Sequence, residues 1–160
     1  MSQDGVLDAD TKSGRRERIP LGTTRLSGRE AALQRILIVE DSATMRSLLA
    51  SSLEDLDRPV KIVEAESGFE ALRFLPRESF DLVVTDINMP DINGLELVSF
   101  IKNNPRHASI PLVIVSTEGS DRDRDKGLQL GADAYLVKPF DPELLRQVVM
   151  DLLAAARAGS

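Results

Sequence analysis

Four short apolar runs of this chain each stop on a charged or hydroxyl side chain. Ile36-Leu37-Ile38-Val39 stops on Glu40-Asp41, and Leu82-Val83-Val84 gives way to Asp86 and then to Pro90. Leu112-Val113-Ile114-Val115 stops on Ser116, and Ala134-Tyr135-Leu136-Val137 stops on Lys138. Runs that are short, continuous and rich in β-branched residues suit strands covered on both faces, the usual condition of a parallel sheet. With Val60-Lys61-Ile62-Val63 they make five strands, each followed by a helical pattern. That alternation predicts an α/β fold, a doubly wound five-stranded parallel sheet with right-handed crossovers and five helices on its two faces.

The helical patterns set the rest of the expectation. Ser42 is placed to N-cap a helix carrying Met45, Leu48, Leu49, Leu53 and Leu56. Phe69, Leu72 and Leu75 share one face of a short helix from Gly68, and Leu95, Val98 and Ile101 mark a third after Asn93-Gly94. Asp121 to Leu130 reads as a charged fourth helix closed by Gly131. Asp141 caps a last helix whose stripe is Leu144, Leu145, Val148, Val149, Leu152 and Leu153. The folded domain so read spans residues 35–157.

Residues 1–34 have a different character. Between 11 and 29 stand six basic residues, Lys12, Arg15, Arg16, Arg18, Arg25 and Arg29, against the single acid Glu17. Pro20, Gly22 and Gly28 interrupt any period, and large apolar residues are too scattered to bury. A basic, disordered extension is expected, with a capping box at Ser27-Gly28-Arg29-Glu30 opening a short helix through Leu33.

Composition removes whole classes of chemistry. The chain has no cysteine and one histidine, His107 in a polar stretch, so neither a Cys/His zinc site nor a Cys–His nucleophile pair is available. The net charge of −6 argues against a nucleic-acid partner. No apolar run is long enough for a membrane span, and no secretory leader stands at the start, which makes the cytoplasm the expected location. Carboxylates, hydroxyls, a lysine and a metal remain.

In a doubly wound sheet, the carboxyl ends of the strands lie along one edge, where such folds build their sites. Glu40, Asp41, Asp86, Ser116 and Lys138 therefore converge, although each alone is an ordinary strand-end residue. Three carboxylates in one pocket repel one another, and a hard divalent cation with oxygen ligands gives them a reason to gather. Mg²⁺ suits such a set, completed by a backbone carbonyl and a phosphate oxygen. Asp86 is then a candidate nucleophile able to form an aspartyl-phosphate, with Lys138 neutralising the phosphoryl group and Ser116 donating to it.

These motifs resemble the receiver domain of bacterial response regulators, especially the stand-alone chemotaxis (CheY-like) type. The matching residues are Glu40-Asp41-Ser42, Asp86-Ile87-Asn88-Met89-Pro90, Ser116, and Lys138-Pro139-Phe140, with Ser116 and Lys138 standing 30 and 52 residues beyond Asp86. The resemblance implies a flavodoxin-like strand order, 2-1-3-4-5. It implies that Asp86 accepts a phosphoryl group from a histidine kinase, and that the protein catalyses its own phosphorylation and dephosphorylation without being an enzyme. It implies Mg²⁺ bound by Asp41, Asp86 and the backbone carbonyl of Asn88, with Glu40 acting through a water. It implies a cis Lys138-Pro139 bond, Ser116 as the switch hydroxyl, and Tyr135 as the aromatic that turns inward with it. The implied output is a change in protein binding at the face of the fourth helix, fifth strand and fifth helix, by a monomer or weak dimer. Two departures stand out: Ser116-Thr117 replaces a common Thr-Ala, and Glu40 replaces a commoner Asp.

Two positions beyond the nucleophile and two beyond the switch hydroxyl lie Asn88 and Glu118, which should flank the path of a hydrolytic water. The same pair in the resembling chemotaxis receivers implies a short-lived phosphoprotein. The alternatives are a phosphorelay intermediate that passes its phosphoryl group to a histidine, and a Mg²⁺-dependent aspartate phosphohydrolase. The latter is disfavoured because Asp86-Ile87-Asn88 lacks a second acid for proton transfer. The alternating charges of Asp121-Arg122-Asp123-Arg124-Asp125-Lys126 read equally well as a solvated helix face and as a partner-selecting surface.

Overall fold

A computed structural model describes residues 33–159. The expected basic extension and its Ser27 capping box lie, through residue 32, outside the described residues. The elements follow in strict alternation: β1 (Gln34–Val39), α1 (Ala43–Glu54), β2 (Val60–Ala65), α2 (Gly68–Phe74), β3 (Leu82–Thr85), α3 (Gly94–Lys102), β4 (Leu112–Ser116), α4 (Asp121–Gln129), β5 (Ala134–Val137) and α5 (Pro142–Gly159). The strands form one parallel sheet in the order β2-β1-β3-β4-β5. This is the flavodoxin-like order, and it leaves a switch point between β1 and β3, where the chain's winding reverses.

Strand alternation sorts the core into two layers. Leu37, Val39, Val83, Leu112, Ile114 and Tyr135 face α2, α3 and α4, and pack with Ala71, Leu75, Leu97, Val98 and Ile101. Ile36, Ile38, Leu82, Val84, Val113 and Val115 face α1 and α5, and pack with Leu49, Leu53, Leu145, Val149 and Leu153. Burying each such side chain contributes about 1.5–3 kcal/mol, which is why β3 and β4 run apolar up to their last residue, and β1 does so after Gln34 and Arg35.

The helix stripes are narrower than the sequence pattern suggests. Phe69 does not share a buried face with Leu72 and Leu75: it is 59% exposed, because Gly68 and Ala71 take the inward positions of α2. Leu48 and Leu144 likewise face solvent. Periodicity marks a candidate arc of about half a helix, but contact with a single sheet covers a narrower one.

Caps follow the residue types. The Ser42, Ser67, Asn93 and Ser120 side chains accept from backbone N–H groups in the first turns of α1, α2, α3 and α4. Asn93 and Glu96 complete a reciprocal capping box. At the far end of α4, Gly131 adopts φ +118, which turns the chain into β5 at a backbone angle that favours glycine.

Candidate functional site

Register decides that the strand-end residues meet. Val39 pairs with Thr85 across β1 and β3, so Glu40 and Asp86 follow at one level. The Asp86 N–H donates to the Val39 carbonyl at 3.1 Å, and the Lys138 N–H donates to the Ser116 carbonyl at 2.8 Å. Approach here is so close that a Cβ on Gly94 would lie 1.9 Å from the Asp86 carbonyl oxygen. Only glycine allows α3 to start directly beneath the strand end. In the sequence the Asn93-Gly94 pair marks only the start of a helix, and nothing in it signals this second requirement.

Glu40, Asp41 and Asp86 offer carboxylate oxygens that all lie within 4.8 Å of one another. Lys138 Nζ reaches into the group, 2.9 Å from Glu40 Oε1 and 3.3 Å from Asp86 Oδ2. Asp86 Oδ1 accepts from the Ile87 N–H at 2.7 Å. Glu40 is 1% exposed, and its Oε2 accepts from the Ser42 N–H at 3.1 Å. Burial pushes the Glu40 carboxyl above its ordinary value, and nearby Asp86 adds to the rise against the opposing bonds from Lys138 and Ser42. Asp41 is exposed and makes no hydrogen bond or ion pair among the described residues. One lysine among three acids leaves the cluster short of positive charge. The donor set is entirely oxygen, with one carboxylate uncommitted, so the residues present fit a hard cation such as Mg²⁺.

Across the site, the β4–α4 side holds the other sequence-predicted residues. Ser116 is fully buried, and its Oγ accepts from the Glu118 N–H at 3.1 Å; it makes no hydrogen bond to Asp86. Asn88 and Glu118 do not simply flank an open path: Asn88 Nδ2 donates to Glu118 Oε2 at 3.0 Å, so the pair meets across the mouth. The Tyr135 ring is buried in the core beside Ile114 and Ala132, and its hydroxyl donates to the Glu118 carbonyl. Burial raises the Tyr135 hydroxyl's pKa, with Asp123 and Glu118 reinforcing and the Ser116 hydroxyl and Arg124 opposing. The Arg124 guanidinium carbon stands 6.0 Å from the ring centre, which links Tyr135 to α4. The Lys138-Pro139 bond is cis.

Two contributors escaped the sequence reading. Asp91, in the loop after Asp86, accepts from the Gly68 N–H at 3.3 Å and the Phe69 N–H at 2.8 Å, capping α2 from another element. Arg46 donates from Nη1 to the Glu40 carbonyl at 2.8 Å. Asp91 acts on an element more than 20 positions away, and Arg46 reaches back six residues to the end of β1, a contact that needs α1 folded against the sheet.

The family model for the response regulator receiver domain matches residues 36–150. The chain belongs to this family. The receiver is 37% identical over 120 residues to a chemotaxis protein CheY homolog of Campylobacter jejuni, covering 74% of this chain and 92% of that one. It is 36% identical over 114 residues to chemotaxis protein CheY1 of Helicobacter pylori, covering 71% and 91%. Among solved structures, the chemotaxis response regulator CheY4 of Vibrio cholerae superposes with a TM-score of 0.69 at 30% identity, over 76% of this chain and 99% of that one. Receiver domains are signalling switches of two-component systems. No helix among the described residues is long and apolar enough to cross a membrane.

Proposed function

We propose that this receiver accepts a phosphoryl group on Asp86 from a phosphohistidine of a partner kinase and signals by changing its protein contacts. The observation that carries the reading is the packed cluster of Glu40, Asp41 and Asp86 with Lys138 bridging two of its members. A carboxylate oxygen of Asp86 forms the new P–O bond while the P–N bond to the donor imidazole breaks and its electron pair returns to the ring. Asp41, Asp86 and the Asn88 carbonyl would hold Mg²⁺, with Glu40 acting through a water. When bound, the ion supplies charge neutralisation for the transferring phosphoryl oxygens. Lys138, already 3.3 Å from Asp86 Oδ2, is positioned to pair with the incoming phosphoryl group. Ser116 turns its hydroxyl from the Glu118 amide toward the new anion.

The route outward runs through bonds that share one short loop. Ser116 and Tyr135 both bond the main chain of Glu118, and Arg124 on α4 stands over the Tyr135 ring. A change at Ser116 thus reaches α4, β5 and α5, whose exposed Leu128, Val137 and Leu144 supply apolar surface for an output protein. The chemotaxis names of its relatives favour motility control as the process. Asn88 and Glu118 set how fast water reaches the phosphoryl group, and this polar pair favours a short-lived signal over a relay store.

Incubation of the full chain with a small phosphoryl donor and Mg²⁺, read by intact mass, tests the reading. The wild type should gain one phosphoryl group, the gain should vanish with chelator, and Asp86→Asn should abolish it. Equal labelling of Asp86→Asn would overturn the assignment.

A further inference from the structure

We infer that Arg46 is a positioning residue for the acid site, holding the peptide that aims Asp41 at the cation. The inference rests on the proposed function's reading that Glu40, Asp41 and Asp86 gather around Mg²⁺.

The geometry begins with the bonds made by Glu40. Its N–H donates to the Ala65 carbonyl, Oε1 receives Lys138 and Oε2 receives the Ser42 N–H. Its carbonyl oxygen lies past the last rung of the sheet and receives Arg46 Nη1 at 2.8 Å. That carbonyl belongs to the peptide joining Glu40 to Asp41, so fixing it fixes the direction in which the Asp41 side chain leaves the chain. Asp41 has no hydrogen bond or ion pair of its own among the described residues. Its aim is therefore set by backbone alone.

Arg46 is itself held. It lies in the first turn of α1, its N–H donating to the Ser42 carbonyl, and its side chain is only 14% exposed. Nε donates to Glu64 Oε1 at 3.2 Å, and Nη2 stands 4.0 Å from Glu66 Oε2. The guanidinium thus ties the ends of β1 and β2 together, using separate nitrogens for the carbonyl and the carboxylate. A lysine offers one point charge and cannot reproduce that fork.

Two effects of removing Arg46 have opposite signs. By charge alone, deleting a cation beside an acidic metal site tightens Mg²⁺ binding. By position, releasing the Glu40–Asp41 peptide weakens it. Outer residues that orient metal ligands typically matter by about 10–100-fold in affinity. The single hydrogen bond here places the expected loss near the lower end.

Calorimetric titration of Mg²⁺ into the full chain decides, with metal-free urea unfolding run alongside to establish that each variant is folded. We expect Arg46→Ala to raise the Mg²⁺ Kd about tenfold, and Arg46→Lys, which keeps the charge, to raise it about threefold. Unchanged or tighter binding in Arg46→Ala overturns the inference and leaves the acid-site reading intact. Should Arg46→Ala fail to fold, Arg46→Lys carries the test, and wild-type affinity in it has the same consequence. Absence of Mg²⁺ binding by the wild type defeats the acid-site reading, and this inference with it.

Discussion

On the β1–β3–β5 side, the site is made of charges that are buried except for Asp41. Glu40 and Asp86 share Lys138, and both carboxylates accept backbone N–H groups, so withdrawing the lysine would leave two buried acids without their cation. On the β4–α4 side, Ser116, Glu118 and Tyr135 are joined by neutral donors and acceptors, and one exposed bond links Asn88 to Glu118. A neutral hydrogen bond contributes about 1 kcal/mol net, whereas stripping a partner from a buried ion pair costs about 3–5 kcal/mol. The charged half is therefore stiff and the neutral half is inexpensive to rearrange, which is the division a switch needs. On the proposed phosphorylation of Asp86, energy would enter at the stiff half and shape would change at the soft one.

The largest effect should come from breaking the stiff half. Lys138→Ala leaves Glu40 and Asp86 buried without their cation, and should lower metal-free stability by about 3 kcal/mol in urea unfolding. Mg²⁺ should restore part of the loss by binding only the folded form. A loss below about 1 kcal/mol, by contrast, would erase the distinction between the halves.

A smaller effect belongs to the loop that joins the halves. Asp91 is partly buried, which works against its ionisation, but the N–H donors of Phe69, Ile92 and Gly68 outweigh this and hold its carboxyl below the ordinary 3.8. A depressed folded pKa contributes stability that is full above the unfolded value and lost as pH falls through the folded one. Asp91→Ala should therefore cost about 1 kcal/mol at neutral pH, as for a helix cap. The gap to wild type should hold from pH 7 to about 5 and narrow below 3.8, which urea unfolding at several pH values would reveal. A gap that is still full at the acid end would mean that Asp91 acts by packing, not by charge.

The smallest stability change should fall on the soft half. Asn88→Lys breaks only the exposed bond to Glu118, and should shift stability by less than about 0.5 kcal/mol. It should nonetheless lengthen the life of the phosphorylated state, because a longer side chain occupies the water's approach. Decay of labelled protein in Mg²⁺ buffer measures this. Equal lifetimes would remove Asn88 from rate control.

The alternation of apolar runs with helical stripes already pointed to the parallel sheet, since strands joined through helices rather than hairpin turns run parallel and have their faces covered by those helices. The ends of those runs exposed Glu40, Asp41, Asp86, Ser116 and Lys138 as one group, because in such a sheet all the carboxyl ends share an edge. What tertiary structure alone decided were the contacts between side chains far apart in the chain. Lys138 pairs with Glu40 across 98 positions, Asn88 meets Glu118, and Asp91 caps α2 from another element. Phe69 and Leu144 kept to their helical period and still face solvent, because which part of an apolar arc is covered depends on the neighbour and not on the helix. Local pattern is written by backbone periodicity and is legible in a single chain. Pairing is written by distance in the folded molecule, and Arg46, silent in the sequence, bonds the Glu40 carbonyl only because α1 packs back over β1 and β2.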